Sequence, residues 1–303
     1  MEKDNAKFPY TIYDAHHHLW NLSSVEYPWL NAKGVKRFFG DPAPIQKNYL
    51  AKDFQSDINA LPVKKSVHIQ VGADDPLAET AWLQNCSDEH GFPHAIVAYC
   101  DLENKDRNAS LDQLQEHSAL KGIRQIIGRH PEEDAQHGTS SLLSNTEWHK
   151  GLKELAMRNL SFDLQIIPDQ MKKMYQILKN LEHLQVVICH AGSPWYRDSQ
   201  GWKIWQQGLL QLAKLPNVHC KLSGLGMFDR EWSVESLRPV FDTVLETFGT
   251  ERVMFGSNFP VDKLYGPYDK LWWSYLELCQ GLSDIEKINL FQHNCKNFYK
   301  LED

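Results

Sequence analysis

Eight short apolar runs recur along the 303-residue chain, each rich in β-branched or aromatic residues and each closed by polar residues, glycine or proline. They are YTIYDAH (10–16), SVHIQV (66–71), AIVAYCD (95–101), KGIRQII (121–127), FDLQIIP (162–168), QVVICH (185–190), VHCKLSG (218–224) and RVMFGSN (252–258). Runs of this kind read as strands buried on both faces. Between them lie stretches with helical periodicity: DFQSDINAL (53–61), DPLAETAWLQNCSDEHG (75–91), WHKGLKELAMRNL (148–160), PDQMKKMYQILKNL (168–181) and VESLRPVFDTVLETFG (234–249). Strands alternating with helices over about 250 residues predict an α/β fold, a (β/α)8 TIM barrel. A doubly wound open sheet is the alternative, but no GxGxxG follows the first strand. No linker, low-complexity tract or charge block divides the chain, so residues 1–303 read as one barrel domain.

The connection after the first strand, Trp20 to about Pro62, is long for a compact domain. Loops that follow strands lie on the catalytic face of such a barrel. Tyr27 and Trp29 in YPWL (27–30) are therefore candidate substrate walls, with plain packing on the barrel as the alternative.

Polar residues punctuate nearly every strand end, where a barrel gathers its active site. These are His16 and His18 on strand 1, Gln70 on strand 2, Arg124 on strand 4, and Asp163 and Gln165 on strand 5. His190 ends strand 6, Lys221 and Ser223 strand 7, and Asn258 strand 8. Side chains alternate across a strand, so His16 and His18 share one face and His17 turns to the surrounding helices. Two imidazoles so spaced either chelate a metal or bracket a substrate group; packing as hydrogen-bonded core residues is the bland alternative.

Other features narrow the function. A net charge of −7 argues against a nucleic-acid or anionic-membrane partner. No window reaches the roughly 18 apolar residues of a membrane span, and the first thirty residues lack a signal-peptide pattern. The six cysteines form no CxxC pair and read as core thiols of a reducing compartment, so a cytoplasmic location is expected and zinc–cysteine chemistry is not. Ser223 lacks a G-x-S-x-G elbow, which argues against a serine esterase. Trp202 and Trp205 read as a core stripe, Trp195 and Tyr196 as pocket or packing residues, and His130, His137 and His149 as solvated or capping. Trp272, Trp273, Tyr275 and the final segment DIEKINLFQHNCKNFYKL read as packing on the barrel, or as a homodimer contact.

The stretches DAHHHLW (14–20), YPWL (27–30), GIR (122–124), CHAGSP (189–194), GWKIWQQGLLQLAKLPNVHCKLSGL (201–225) and RVMFGSNFPVD (252–262) carry a resemblance over most of the chain. They resemble the amidohydrolase-related, metal-dependent hydrolases of TIM-barrel fold, in the branch with L-fuconolactonase, rhamnonolactonase and 2-pyrone-4,6-dicarboxylate lactonase. The resemblance implies a hydrolase that opens a small sugar-acid or carboxylated lactone by water attack at the barrel mouth. It implies that His16, His18 and His190 are catalytic and would hold one divalent ion, zinc first, although some members of this branch work without a metal. Arg124 matches a position that contacts anionic groups, Lys221 lies in a segment near the pocket, and Gln70, Gln165, Trp29 and Trp195 are candidate substrate contacts.

Asn258 departs from the pattern, because many relatives carry there the aspartate that serves as general base. An amide has no proton-accepting state near neutrality. Three explanations stand: a metal activates the water, Asp262 or Asp163 takes over as base, or hydrolysis is lost. A metal at this site is itself open, since amides are poor zinc ligands while three histidines and water suffice for an open tetrahedral site. Without a metal, Arg124, with Lys221 and Arg129, would pair with a substrate carboxylate and polarise the carbonyl, and His190 would act on water. Two further functions stay open: a metal-dependent non-oxidative decarboxylase on the same fold, and a catalytically silent ligand-binding barrel.

Overall fold

All eight runs form strands in the computed structural model, which describes residues 7–130 and 139–302. They are β1 (Ile12–His17), β2 (Val63–Ile69), β3 (Ala95–Ala98), β4 (Leu120–Ile126), β5 (Ser161–Gln165), β6 (Val186–Ile188), β7 (Val218–Leu222) and β8 (Val253–Phe255). They pair in parallel in sequence order. Beyond the end of β8 the backbone amide of Asn258 donates to His16 O at 2.6 Å, and that of His18 to Phe259 O at 2.7 Å. These bonds draw the eighth strand's exit against the first and bring the sheet close to a closed barrel. The parallel order with intervening helices is the (β/α)8 arrangement.

Every helical stretch forms where its periodicity places it: Ala51–Ile58, Pro76–His90, Thr146–Met157, Pro168–Leu178 and Val234–Phe248. Caps explain several boundaries. Asp75 accepts from the Leu77 and Ala78 amides with Pro76 in the first turn, and Gly91 ends the same helix at φ 71°. The final segment is not one uniform helix: Asp284–Ile288 passes through a π turn at Asn289–His293 before Asn294–Tyr299. Trp272 and Tyr275 are fully buried, with Tyr275 stacked 4.4 Å from Phe255 of β8, whereas Trp273 stays partly exposed at the surface. No described helix is long and apolar enough to cross a membrane.

Two apolar layers hold this frame. The larger lies between strands and helices, and Phe54 from Ala51–Ile58 illustrates it, since His17 stacks on its ring at 4.1 Å. His17 therefore faces the helices, as the alternation of β1 requires. The smaller layer includes Tyr13, Ala15, Val67, Val97, Val187 and Met254, with Phe298, Tyr299 and Leu301 packed among them. The six described cysteines are all buried and free.

The long connection after β1 is anchored rather than loose. Trp20 and Tyr49 exchange backbone hydrogen bonds, and Trp20 Nε1 donates to Lys47 O at 2.7 Å. Trp29 Nε1 donates to Val71 O, just past β2, at 2.6 Å. This bond hangs Trp29 over the barrel mouth, while Tyr27 is fully buried.

Candidate active site

The strand ends and their following loops enclose a cavity of about 650 Å³ at the barrel mouth. His18, His190, Asn258, Arg124, Gln70, Gln165 and Trp29 line it, as do Arg37, Phe38, Phe39, Tyr99 and Met227. Strands β6 and β8 stop early, and the chain turns through left-handed conformations at His190 (φ 54°) and Asn258 (φ 57°). Both side chains are thereby released from the sheet to face the mouth.

Three imidazoles gather there. The rings of His16 and His190 lie 4.5 Å apart and those of His16 and His18 lie 5.1 Å apart, centroid to centroid. His16 sits below the cavity, fully buried, with neither ring nitrogen hydrogen-bonded among the described residues. Glycines make this crowding feasible: a Cβ on Gly256 would stand 2.6 Å from His16 Cβ, and one on Gly224 would stand 2.5 Å from His190 Nδ1. Burial holds all three neutral by lowering their pKa values, His18 to about 3, and the nearby Arg124 charge pushes the same way.

The Ile69 carbonyl fixes the His18 tautomer, and the Ser223 carbonyl favours the same one at His190. His18 Nδ1–H donates to Ile69 O at 2.7 Å, and His190 Nδ1–H donates to Ser223 at 3.2 Å (O) or 3.1 Å (Oγ). A neutral ring that donates from Nδ1 carries its lone pair on Nε2. For His18 that nitrogen lies 3.1 Å from Asn258 Oδ1. Asn258 in turn reaches Asp262, with Nδ2 to Oδ1 at 3.0 Å. Asp262 does not line the cavity; it lies behind the amide, fully desolvated, and burial raises its pKa to about 7.

Arg124 is the buried charge in a lining that also holds Arg37, Arg129, Asp74, Asp101 and Glu103. It is 4% exposed, its Nη1 donates to Gln165 Oε1 at 3.1 Å, its Nη2 donates to Gln70 O, and its Nε has no partner. Among the described residues it makes no ion pair and its direct acceptors are neutral, while the Asp163 and Glu79 carboxyls act on its charge from farther off. Gln70 is turned back on the frame, its Oε1 accepting from the Gly72 amide at 2.8 Å.

Lys221 requires a correction. Its ammonium does not line the cavity; it is fully buried, donates to Asp163 Oδ2 at 2.6 Å and lies 5.0 Å from the Tyr299 ring centroid. The Tyr299 hydroxyl also donates to Asp163. A buried carboxylate so near captures the lysine, and neither group is left for substrate or water. Trp195 also stands outside the lining: Nε1 donates to Arg129 O at 2.6 Å and its ring packs on Phe38 and Phe228. Trp205 is core, its Nε1 held by Ala191 O, and His149 pairs with Leu143 O. His137 lies outside the described residues.

The amidohydrolase family model matches residues 13–301. The chain belongs to the amidohydrolase family. This amidohydrolase is 40% identical over 294 residues to an uncharacterized protein, y4mH, of Sinorhizobium fredii, covering 96% of this chain and 98% of the other. It is 24% identical over 302 residues to an L-fucono-1,5-lactonase of Burkholderia ambifaria, covering 95% of each. Among solved structures, it superposes with a TM-score of 0.82 on an amidohydrolase from Burkholderia multivorans with bound zinc, at 22% identity, covering 96% of this chain and 100% of that one.

His16, His18 and His190 are the residues that would hold the expected divalent ion, and strand 8 adds no anionic ligand to them. His18 Nδ1 is engaged by Ile69 O, and its Nε2 lone pair faces the Asn258 amide oxygen at 3.1 Å. Strand 8 offers an amide where an anion would offset the ion's charge, and the unpaired Arg124 guanidinium disfavours positive charge on all three imidazoles. No three His, Cys, Asp or Glu side chains among the described residues are set to hold a metal.

Proposed function

We propose that this amidohydrolase opens a small lactone that carries a carboxylate, using water as nucleophile. One observation carries the reading: a buried arginine with no ion-paired partner faces the same cavity as a neutral histidine whose Nδ1 meets the Ser223 carbonyl. A buried cation left unpaired is costly unless an anion completes it. The substrate's carboxylate supplies that anion and places the lactone beneath Trp29. The lactonase name of the Burkholderia ambifaria relative supports this class of reaction.

His190 takes the proton of the attacking water at Nε2 while Nδ1–H stays bonded to Ser223. The water oxygen bonds to the lactone carbonyl carbon, the ring C–O bond breaks, and the imidazolium returns its proton to the departing ring oxygen. The product is the open hydroxy acid. Burial alone makes His190 a weak base; the bound carboxylate beside Arg124 cancels the cation that suppresses it and raises its affinity for the proton.

An acid-release screen with a pH indicator tests this reading. Carboxylated lactones are expected to turn over and neutral sugar lactones to react poorly. Carbon dioxide release with loss of activity on chelation would overturn it in favour of a decarboxylase. No turnover by folded protein across both panels would overturn it in favour of a ligand-binding barrel.

A further inference from the structure

We infer that Asn258 and Asp262 together replace the strand-8 carboxylate: Asp262 turns the Asn258 amide over according to whether it carries a proton, and thereby decides whether His18 Nε2 is capped. The hydrogen-bond chain leads there by elimination. The Ile69 carbonyl can only accept, so His18 Nδ1 carries hydrogen and the neutral ring has a bare Nε2. With Asn258 Nδ2 directed to Asp262 Oδ1 at 3.0 Å, the amide oxygen faces that lone pair at 3.1 Å. Acceptor then meets acceptor, and the contact becomes attractive only when Nε2 gains a proton. With the amide turned over, Nδ2 donates to His18 Nε2 and Oδ1 becomes an acceptor facing Asp262. That arrangement requires Asp262 to be a carboxylic acid with a proton to donate. The two orientations exclude each other.

The local backbone keeps the three groups in line. The Asp262 amide donates to Asn258 O at 3.1 Å, so both residues ride on one turn that Asn258 enters in the left-handed region. Asn258 is 1% and Asp262 3% exposed, and Asp262 Oδ2 has no hydrogen-bond partner among the described residues. A carboxylate so poorly solvated favours its acid form, and burial places its titration near pH 7. The groups that bear on His18 are Arg124, Lys221, His16, His17, His68 and His190; those that bear on Asp262 are Asn258, the Gly226 backbone amide, and the Tyr265 and Tyr275 hydroxyls, burial outweighing the two donors. The cations oppose a charge on His18, which leaves Asp262 as the group that titrates near neutrality.

Below that pH the amide caps His18. Above it, Nδ2 turns to the carboxylate, His18 Nε2 is released, and an arriving proton there would be met by the amide oxygen with the Asp262 charge behind it. Asp262 is thus a positioning residue acting through Asn258. The inference rests on the lactonase reading only for what the released nitrogen is used for.

The test is ¹⁵N NMR of the full-length protein labelled at histidine, titrated from about pH 5 to pH 9, with His18 assigned by loss of its signals in His18→Gln. The wild-type Nε2 resonance is expected to show one step near pH 7 while Nδ1 stays protonated, together with loss of a protonated-carboxyl band in the infrared. Asp262→Asn is expected to abolish both. Asn258→Leu is expected to abolish the step at His18 and keep the infrared band, and it decides the matter alone if Asp262→Asn does not fold. A wild-type Nε2 without a step, or a step that survives either substitution, would overturn the inference. No turnover is measured, so failure of the lactone screen and failure here are separate results.

Discussion

The imidazoles of His16 and His190 lie 4.5 Å apart although they enter from β1 and β6, strands separated by two others in the barrel. Each is buried and neutral, and His190 alone of the two lines the cavity. His190→Gln is therefore expected to lower kcat by about 10²- to 10⁴-fold with little change in KM. His16→Gln is expected to disturb packing and KM as well. Steady-state kinetics on a carboxylated lactone, with unfolding curves for each variant, separates the two roles.

Arg124→Gln tests the anion site. Removing a charge-assisted contact is expected to lower kcat/KM for a carboxylated lactone by about 10- to 200-fold. A neutral lactone of the same ring size is expected to lose far less. Stability is expected to hold or rise, because the substitution removes a buried charge that no described residue pairs. Equal losses on both substrates would assign Arg124 to the frame instead.

Lys221→Met separates a structural lysine from a substrate contact. It leaves the Asp163 carboxylate buried with the Tyr299 hydroxyl as its remaining partner. Breaking such a pair typically costs about 3–5 kcal/mol, which urea unfolding would register directly. The double variant Lys221→Met/Asp163→Leu is expected to recover most of that loss.

Stability is expected to fall as pH drops below about 6.5, the ordinary histidine pKa, and to level off above neutrality. His16, His17, His18, His68 and His190 are all shifted down by burial, so they stabilise the fold above that value. Their contribution falls away as pH drops from 6.5 toward the folded value, about 3 for His18. Asp14 and Asp262 are shifted up by burial, to about 6 and about 7, so their contribution is complete below 3.8 and declines as pH rises through those values. Glu79, raised by burial to about 7, acts as Asp262 does, and His94 and His219, lowered by burial to about 4, act with the other imidazoles, so seven imidazoles outweigh three carboxyls on the acid side. Asp262→Asn is expected to remove the negative contribution of Asp262 to the pH slope of unfolding free energy between about pH 6.5 and pH 8.

Much of this was legible in the residues because strands buried on both faces leave a nearly continuous apolar signature, and all eight runs declare themselves that way. The strand-end rule located His18, His190, Arg124, Gln165 and Asn258 at the mouth for the same reason. Applied to the third run, AIVAYCD, it also finds Tyr99 and Asp101, which line the cavity and were missed. Lys221 misled because the pleat fixes which way a side chain points but not what waits there, and Asp163 comes from a strand 58 residues earlier. Arg37, Phe38 and Phe39 lie in the long aperiodic connection, and no local pattern places such residues over a particular strand end.

The Tyr299 hydroxyl that reaches Asp163 spans 136 residues of sequence. During synthesis the first two hundred residues emerge with Asp163 but without Tyr299, the residue that completes the carboxylate's hydrogen bonds and covers it. The barrel's interior is thus a late product of translation, and the nascent chain must keep a hungry carboxylate solvated until its final helix arrives.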